Sequence, residues 1–231
     1  MRSVRLARSG GQGMSTPIAQ LAREHARLLD GSRAAMTIAG ADLTSGFFAG
    51  VAWHNLRFVD CDFAGEGNVR LDAMSDCRFM DCRFIAPSHD FGVMDDVRFV
   101  RCRTSGAAIL GGRDASFGVV FEECVFAGGD TVSHAREGIG STGETTFRRC
   151  TGRGAVLVAG TRLAIEGCSF EHMSFTIGRQ RDRGVPLAAT VAIENTQGTG
   201  VWRMTDARMK TCHIRNSRFE RIVDDGSECE P

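Results

Sequence analysis

Between about residues 36 and 223 the apolar positions fall into one recurring motif. Leu56-Arg57-Phe58-Val59-Asp60-Cys61-Asp62-Phe63 returns as Cys77-Arg78-Phe79-Met80-Asp81-Cys82-Arg83-Phe84. It returns again from Val97 to Thr104 and from Val119 to Phe126. Later copies start at Thr145, Leu163, Val191 and Cys212, and a degenerate one starts at Met36. The pattern is apolar-x-Phe/Ile-x-x-Cys-x-Phe. Its anchors are Ile38, Phe58, Phe79, Phe99, Phe121, Phe147, Ile165, Ile193 and Ile214. Their spacings are 20, 21, 20, 22, 26, 18, 28 and 21, with a mean of 22.

A period near 22 is too short for helical repeats, and the Leu/Asn signature of leucine-rich repeats is missing. The anchor and the residue two before it share a face, which is strand periodicity. The next inward position comes three residues on, not two. That odd step marks a corner between two short strands. A strand, a corner, a second strand and a variable return arc make one coil of a parallel β-helix. The expectation is an all-β, single-domain solenoid of about nine coils over 36–223. At one strand spacing per coil, the rod would be roughly 40 Å long.

The repeat places most of the unusual residues. The chain has 15 Phe, no Tyr, 28 Gly and 9 Cys in 231 residues. Eight of the nine cysteines fall in two columns, the corner column and the one two before the anchor; Cys229 alone lies outside. A phenol hydroxyl inside a stack of rings would lack a partner, which disfavours Tyr. Cys reads as a small hydrophobe at a tight corner. The expected core is Phe58, Cys61, Phe63, Phe79, Cys82, Phe84, Phe99, Cys102, Phe121, Cys124, Phe126, Phe147, Cys150, Ile165, Cys168, Phe170, Ile193, Ile214 and Phe219. No CxxC or zinc-finger spacing occurs, so no metal site and no cofactor is expected. Buried, stacked free thiols imply a reducing compartment such as the cytoplasm.

Residues 15–31 read as a helix that caps the first coil. Thr16 can cap it, Pro17 suits its first position, and Ile18, Leu21, His25, Leu28 and Leu29 form its apolar stripe. Residues 1–14 are expected to be disordered and show no apolar core of a secretory signal. Residues 224–231 read as a loose acidic tail. No apolar run approaches the ~20 residues of a membrane-spanning helix.

Charge narrows the partners. Lys+Arg is 28 and Asp+Glu is 28, a formal net charge of zero, which disfavours nucleic acid, a polybasic membrane contact and DNA mimicry. Lys210 is the only lysine. Such arginine bias suits either guanidinium recognition of anions or the codon usage of a high-GC genome, and the zero charge favours the latter. Extra residues fall in the return arcs 86–96, 127–144 and 171–190. Their polar side chains are the candidates for chemistry: Asp130, His134 and Glu137 for acid/base work, and Arg179, Arg181, Asp182 and Arg183 for an anionic ligand. A third candidate is the outward column Arg57, Arg78 and Arg98, with Asp60 and Asp81 across the corner to offset its charge. The corner positions Asp60, Asp81, Arg101, Glu123, Arg149, Gly167, Asn195 and Asn216 are too mixed for a column of calcium ligands.

Leu43, Phe48, Trp53, Phe58 and Phe63 stand five apart. With the run 76–84 they resemble the pentapeptide-repeat proteins. From about residue 90 the copies resemble the degenerate coils of pectin-lyase-like β-helices. Both resemblances imply a right-handed parallel β-helix, and the first implies a bacterial interaction protein, some members being delivered into hosts as effectors. The expected function is a non-enzymatic scaffold that binds another protein through its lateral face or ends, with self-association through the same surfaces as an option. Export by a route without a cleavable signal is the alternative location. The alternative function is a carbohydrate-binding or carbohydrate-active β-helix that uses a groove between the return arcs; the lack of Tyr and the presence of only Trp53 and Trp202 count against it.

Overall fold

In a computed structural model the chain winds into a parallel β-solenoid with no helix among the described residues. The structure describes residues 2–5, 36–40, 52–63, 69–70, 73–85, 88–90, 93–104, 109–111, 117–126, 131–132, 144–153, 162–172, 174–175, 189–205, 208–225 and 228–229. The main ladder has eleven strands and carries the anchors. A nine-stranded ladder follows it around the corner and carries the second inward position. A four-stranded ladder (Val69–Arg70, Ser88–Asp90, Ile109–Gly111, Thr131–Val132) and a three-stranded one (Ala52–His54, Ala73–Ser75, Val93–Asp95) close a four-sided cross-section. All pairings are parallel and in register with the motif: Phe58 pairs with Phe79, Phe79 with Phe99, Phe99 with Phe121 and Phe121 with Phe147.

The coil count differs from the expected nine. About five turns keep the regular cross-section. The reason is arithmetic: anchors from Ile38 to Phe121 are 20 to 22 residues apart, so all four sides stack. Beyond Phe121 the spacings of 26, 18 and 28 leave arcs of unequal length, and among the described residues the two smaller ladders reach no further than Val132. Two terminal stretches expected outside the solenoid contribute strands. Arg2–Arg5 lies on Met36–Ala39, and Glu228–Cys229 lies on Arg208–Met209. The capping helix expected over 15–31 lies outside the described residues.

Stacking an identical side chain on every rung makes the core a pair of ring columns. Phe58, Phe79, Phe99, Phe121 and Phe147 stack at centroid separations of 4.9, 4.8, 4.6 and 5.1 Å with planes within 10°. Phe63 and Phe84 form the second column, 5.0 Å apart, and meet the first edge-on. Burial of these rings and their aliphatic neighbours is the main driving force for folding. Cys61, Cys82, Cys102, Cys124, Cys150, Cys168, Phe126, Phe170, Ile165 and Ile193 are buried as well. Ile214 departs from the expected core: it is 44% exposed, and among the described residues the next strand, Glu228–Cys229, pairs only with Arg208 and Met209. Phe219, one corner further on, is only partly buried. Trp202 is buried instead, against Phe219 and Phe170. It occupies the space above Gly198, where an added Cβ would come within 2.6 Å of the Phe219 ring.

Candidate functional site

Corners decide what the outer surface can present. At every corner after the main strand one residue adopts the left-handed conformation, with φ between +47° and +62° from Asp60 to Asn216. Asp, Asn and Gly tolerate that region best. The column that reads as chemically mixed in the sequence is thus a set of corner pivots. Its charged members pair up the rod. The Arg101 guanidinium donates to both carboxylate oxygens of Asp81, at 2.7 and 2.8 Å, and holds that carboxyl below its usual range. Arg149 donates to Glu123 at 3.0 Å and also bonds Glu122. On the neighbouring strands Arg83 holds Asp62, Arg148 meets Glu166, Arg153 meets Glu171, and Arg162 meets Glu144.

The cysteine column has a role beyond size. The thiols of Cys61, Cys82, Cys102, Cys124 and Cys150 each lie 3.3–3.6 Å from the anchor carbonyl of the preceding rung. Each is also 3.4–3.5 Å from the carbonyl two residues before it. Further along, the backbone N–H of Cys150 donates to Cys168 Sγ, that of Cys168 to Thr196 Oγ1, and that of Thr196 to Ser217 Oγ. The position therefore wants a small side chain that both donates and accepts, which explains why Thr and Ser replace Cys on the last rungs. Burial raises the thiol of Cys102, and pushes that of Cys77, in the second cysteine column, up to about 11. Such thiols are poor nucleophiles. The eight cysteines described in these columns form no disulfide with one another. No group of three or more His, Cys, Asp or Glu side chains is placed to hold a metal among the described residues.

One polar cleft forms on the corner that precedes the main ladder. Its volume is about 510 Å³, and it is lined by His54, Asn55, Arg57, Asp76, Arg78 and Asp96. Asn55, Asp76 and Asp96 are left-handed pivots, with φ of 55°, 53° and 48°. Their backbone geometry aims the side chains out of the rod beside the arginines. His54 Nδ1 lies 2.7 Å from Ser75 Oγ and 3.4 Å from Asp76 Oδ2. A nucleophile relay needs the hydroxyl and the carboxylate on opposite ring nitrogens. Here the hydroxyl and the carboxylate contacts are both to Nδ1.

Arg57 pairs with Arg78, and Arg78 with Arg98, in register on the main ladder. None of the three has an ion pair among the described residues. Of the two aspartates across the corner, Asp81 is committed to Arg101 one rung further along. The structure thus brings Arg57 and Arg78 together at the cleft, with Arg98 next in register. Asp130, His134, Glu137, Arg179, Arg181, Asp182 and Arg183 lie outside the described residues. The residues that sequence reasoning missed are His54, Asn55, Asp76 and Asp96. Asn55, Asp76, Asp96 and Gly118 recur with the repeat period immediately before the motif, and that column was the available signal. Trp53 and Trp202 are both buried and offer no face to a sugar.

No helix of the described residues is long and apolar enough to cross a membrane. Comparison with known proteins finds no matching family model, no matching curated protein and no matching solved structure.

Proposed function

We propose that the protein is a non-enzymatic β-solenoid scaffold that binds another protein through its lateral face, with the Arg57–Arg78–Arg98 column and its cleft at the centre of the contact. One observation carries this reading. Arg83, Arg101 and Arg149 on the neighbouring outward columns meet carboxylates, whereas these three stack in register without an ion pair among the described residues. Like charges one strand spacing apart oppose pairing. An acidic segment laid along the rod would remove that repulsion and gain bidentate hydrogen bonds. Asp76 and Asp96, across the cleft, would select a partner that carries hydrogen-bond donors on its other edge. The resemblance to pentapeptide-repeat proteins supports a bacterial interaction role, and the stacked free thiols support a reducing compartment. The test is a pull-down with the full chain and with its Arg57→Glu/Arg78→Glu variant, run beside a polysaccharide-turnover panel. The expected result is a protein partner retained by the wild type and lost by the variant. Polysaccharide turnover without any protein partner would overturn the reading.

A further inference from the structure

We propose that Cys102 and Cys124 form a binding site for one soft divalent metal ion of linear coordination, with mercury(II) as its type, in a cavity opened by Thr104. Two ring columns fill the core, and the second is interrupted. Phe63 and Phe84 stack in it. Phe126 continues it two rungs further on, but the rung between carries Thr104, in register with Phe84. A methyl and a hydroxyl stand there in place of a ring. The result is a void of about 10 Å³ between Phe84 and Phe126, with Thr104, Cys102 and Cys124 on its wall. That is room for one atom-sized guest. The exposed lining is almost wholly apolar, which suits water poorly, since a buried water needs two to four polar partners. The same rung is the least covered part of the core here. Thr104 is 7% and Cys102 4% exposed, whereas Cys61, Cys82 and Cys150 are at 0%. A small solute therefore reaches this pair before the other thiols of the column.

The two sulfurs belong to consecutive rungs. The Val125 N–H ties these rungs by donating to the Cys102 carbonyl at 2.9 Å, and the two thiols hydrogen-bond each other. The same rungs hold the rings of Phe99 and Phe121 4.6 Å apart. Two metal–thiolate bonds of about 2.3 Å in a line span about 4.6 Å. Ligand number narrows the metal. Structural zinc takes four ligands, and no group of three or more forms among the described residues. Charge narrows it further. Binding breaks two S–H bonds, forms two metal–sulfur bonds and releases two protons to solvent, with no change of oxidation state. A divalent ion leaves a neutral S–M–S unit. A monovalent copper or silver ion would leave a net negative charge among phenylalanine rings, where an unpaired charge is costly. The S–H donors lost on binding leave no corner carbonyl unpaired. Val100 O also accepts the Asp81 N–H at 3.0 Å, and Glu122 O the Arg101 N–H at 2.8 Å. The bound ion would tie two rungs together and stabilise the folded chain.

The test uses the full chain carrying Cys212→Ser and Cys229→Ser, which removes the half-buried Cys212 and the cysteine outside the repeat. This parent is incubated with mercury(II) chloride under an excess of N-acetylcysteine, a competing single thiol, and then gel-filtered. Metal analysis should find one mercury per chain, and X-ray absorption should count two sulfur ligands. Cys102→Ser, Cys124→Ser and Thr104→Phe, which refills the ring column, should each retain at least about tenfold less. Cys61→Ser should still retain one, and silver(I) nitrate should not be retained under the same competition. Circular dichroism confirms the fold of each variant. Should Thr104→Phe not fold, Thr104→Met fills the same space with a flexible chain and carries the same expectation. No mercury on the folded parent, three or more sulfur ligands, equal retention by Cys102→Ser or by the cavity-filled variant, loss in Cys61→Ser, or silver held as well as mercury would overturn the proposal.

Discussion

Replacing Phe99 with alanine probes the ring column at its centre. Phe99 is 1% exposed and stacks on Phe79 at 4.8 Å and on Phe121 at 4.6 Å, with Phe84 edge-on at 5.7 Å. Phe→Ala in a packed core costs about 3–5 kcal/mol from lost transfer and the residual cavity. Each aromatic contact adds roughly 0.5–1.5 kcal/mol beyond area burial. Parallel strands held in register on both sides leave little room for collapse, so the cost should sit near the upper end, at about 4–5 kcal/mol. A solenoid rung meets only its neighbours, and this substitution weakens two rung interfaces at once. The control is Ile214→Ala, where a side chain 44% exposed should cost less than about 1 kcal/mol. Urea denaturation followed by far-UV circular dichroism gives both values. Buried Trp53 and Trp202 report from opposite ends of the rod, so coincident fluorescence transitions check that unfolding is all-or-none. For a chain of this size the Phe99 variant should melt about 8–20 °C lower. A cost for Phe99→Ala below about 1 kcal/mol, or no larger than that of Ile214→Ala, would refute the stacked-core account.

Two further substitutions test the corners. Cys102→Ser keeps a donor and acceptor of nearly the right size between the carbonyls of Phe79 and Val100 and should cost less than Cys102→Val, which removes the hydrogen bond and adds bulk, by about 1–3 kcal/mol in the same denaturation assay. Asn195, at φ 50°, should accept Gly within a few tenths of a kcal/mol but lose about 1–2 kcal/mol as Val, because a β-branched side chain is strained in the left-handed region; equal melting temperatures for the two variants would contradict the pivot role.

Much of the fold was legible because a solenoid writes its register into the chain. In-register pairing of Phe58, Phe79, Phe99 and Phe121 is the repeat itself folded up. Where the period held at 20–22 residues, periodicity carried the architecture; where it broke after Phe121, the count of regular turns failed. The Cys column was legible as small and inward, but not as a hydrogen-bonding corner. That role depends on carbonyls 23 to 29 residues away in sequence. The cleft was half legible. Arg57, Arg78 and Arg98 stood out as a column, whereas His54, Asn55, Asp76 and Asp96 belong to a corner that the motif does not include.

The sequence by itself determined the class of fold, the identity of the stacked rings and which arginines share a face, since each follows from period and alternation alone. Only the tertiary structure decided how the charges pair, because ion pairs form between neighbouring rungs and not along the strand. It placed Asp81 with Arg101 and left the three stacked arginines facing outward. It likewise moved Ile214 out of the core, because burial of a rung depends on which strand lies over it, and Glu228–Cys229 pairs only with Arg208 and Met209 among the described residues.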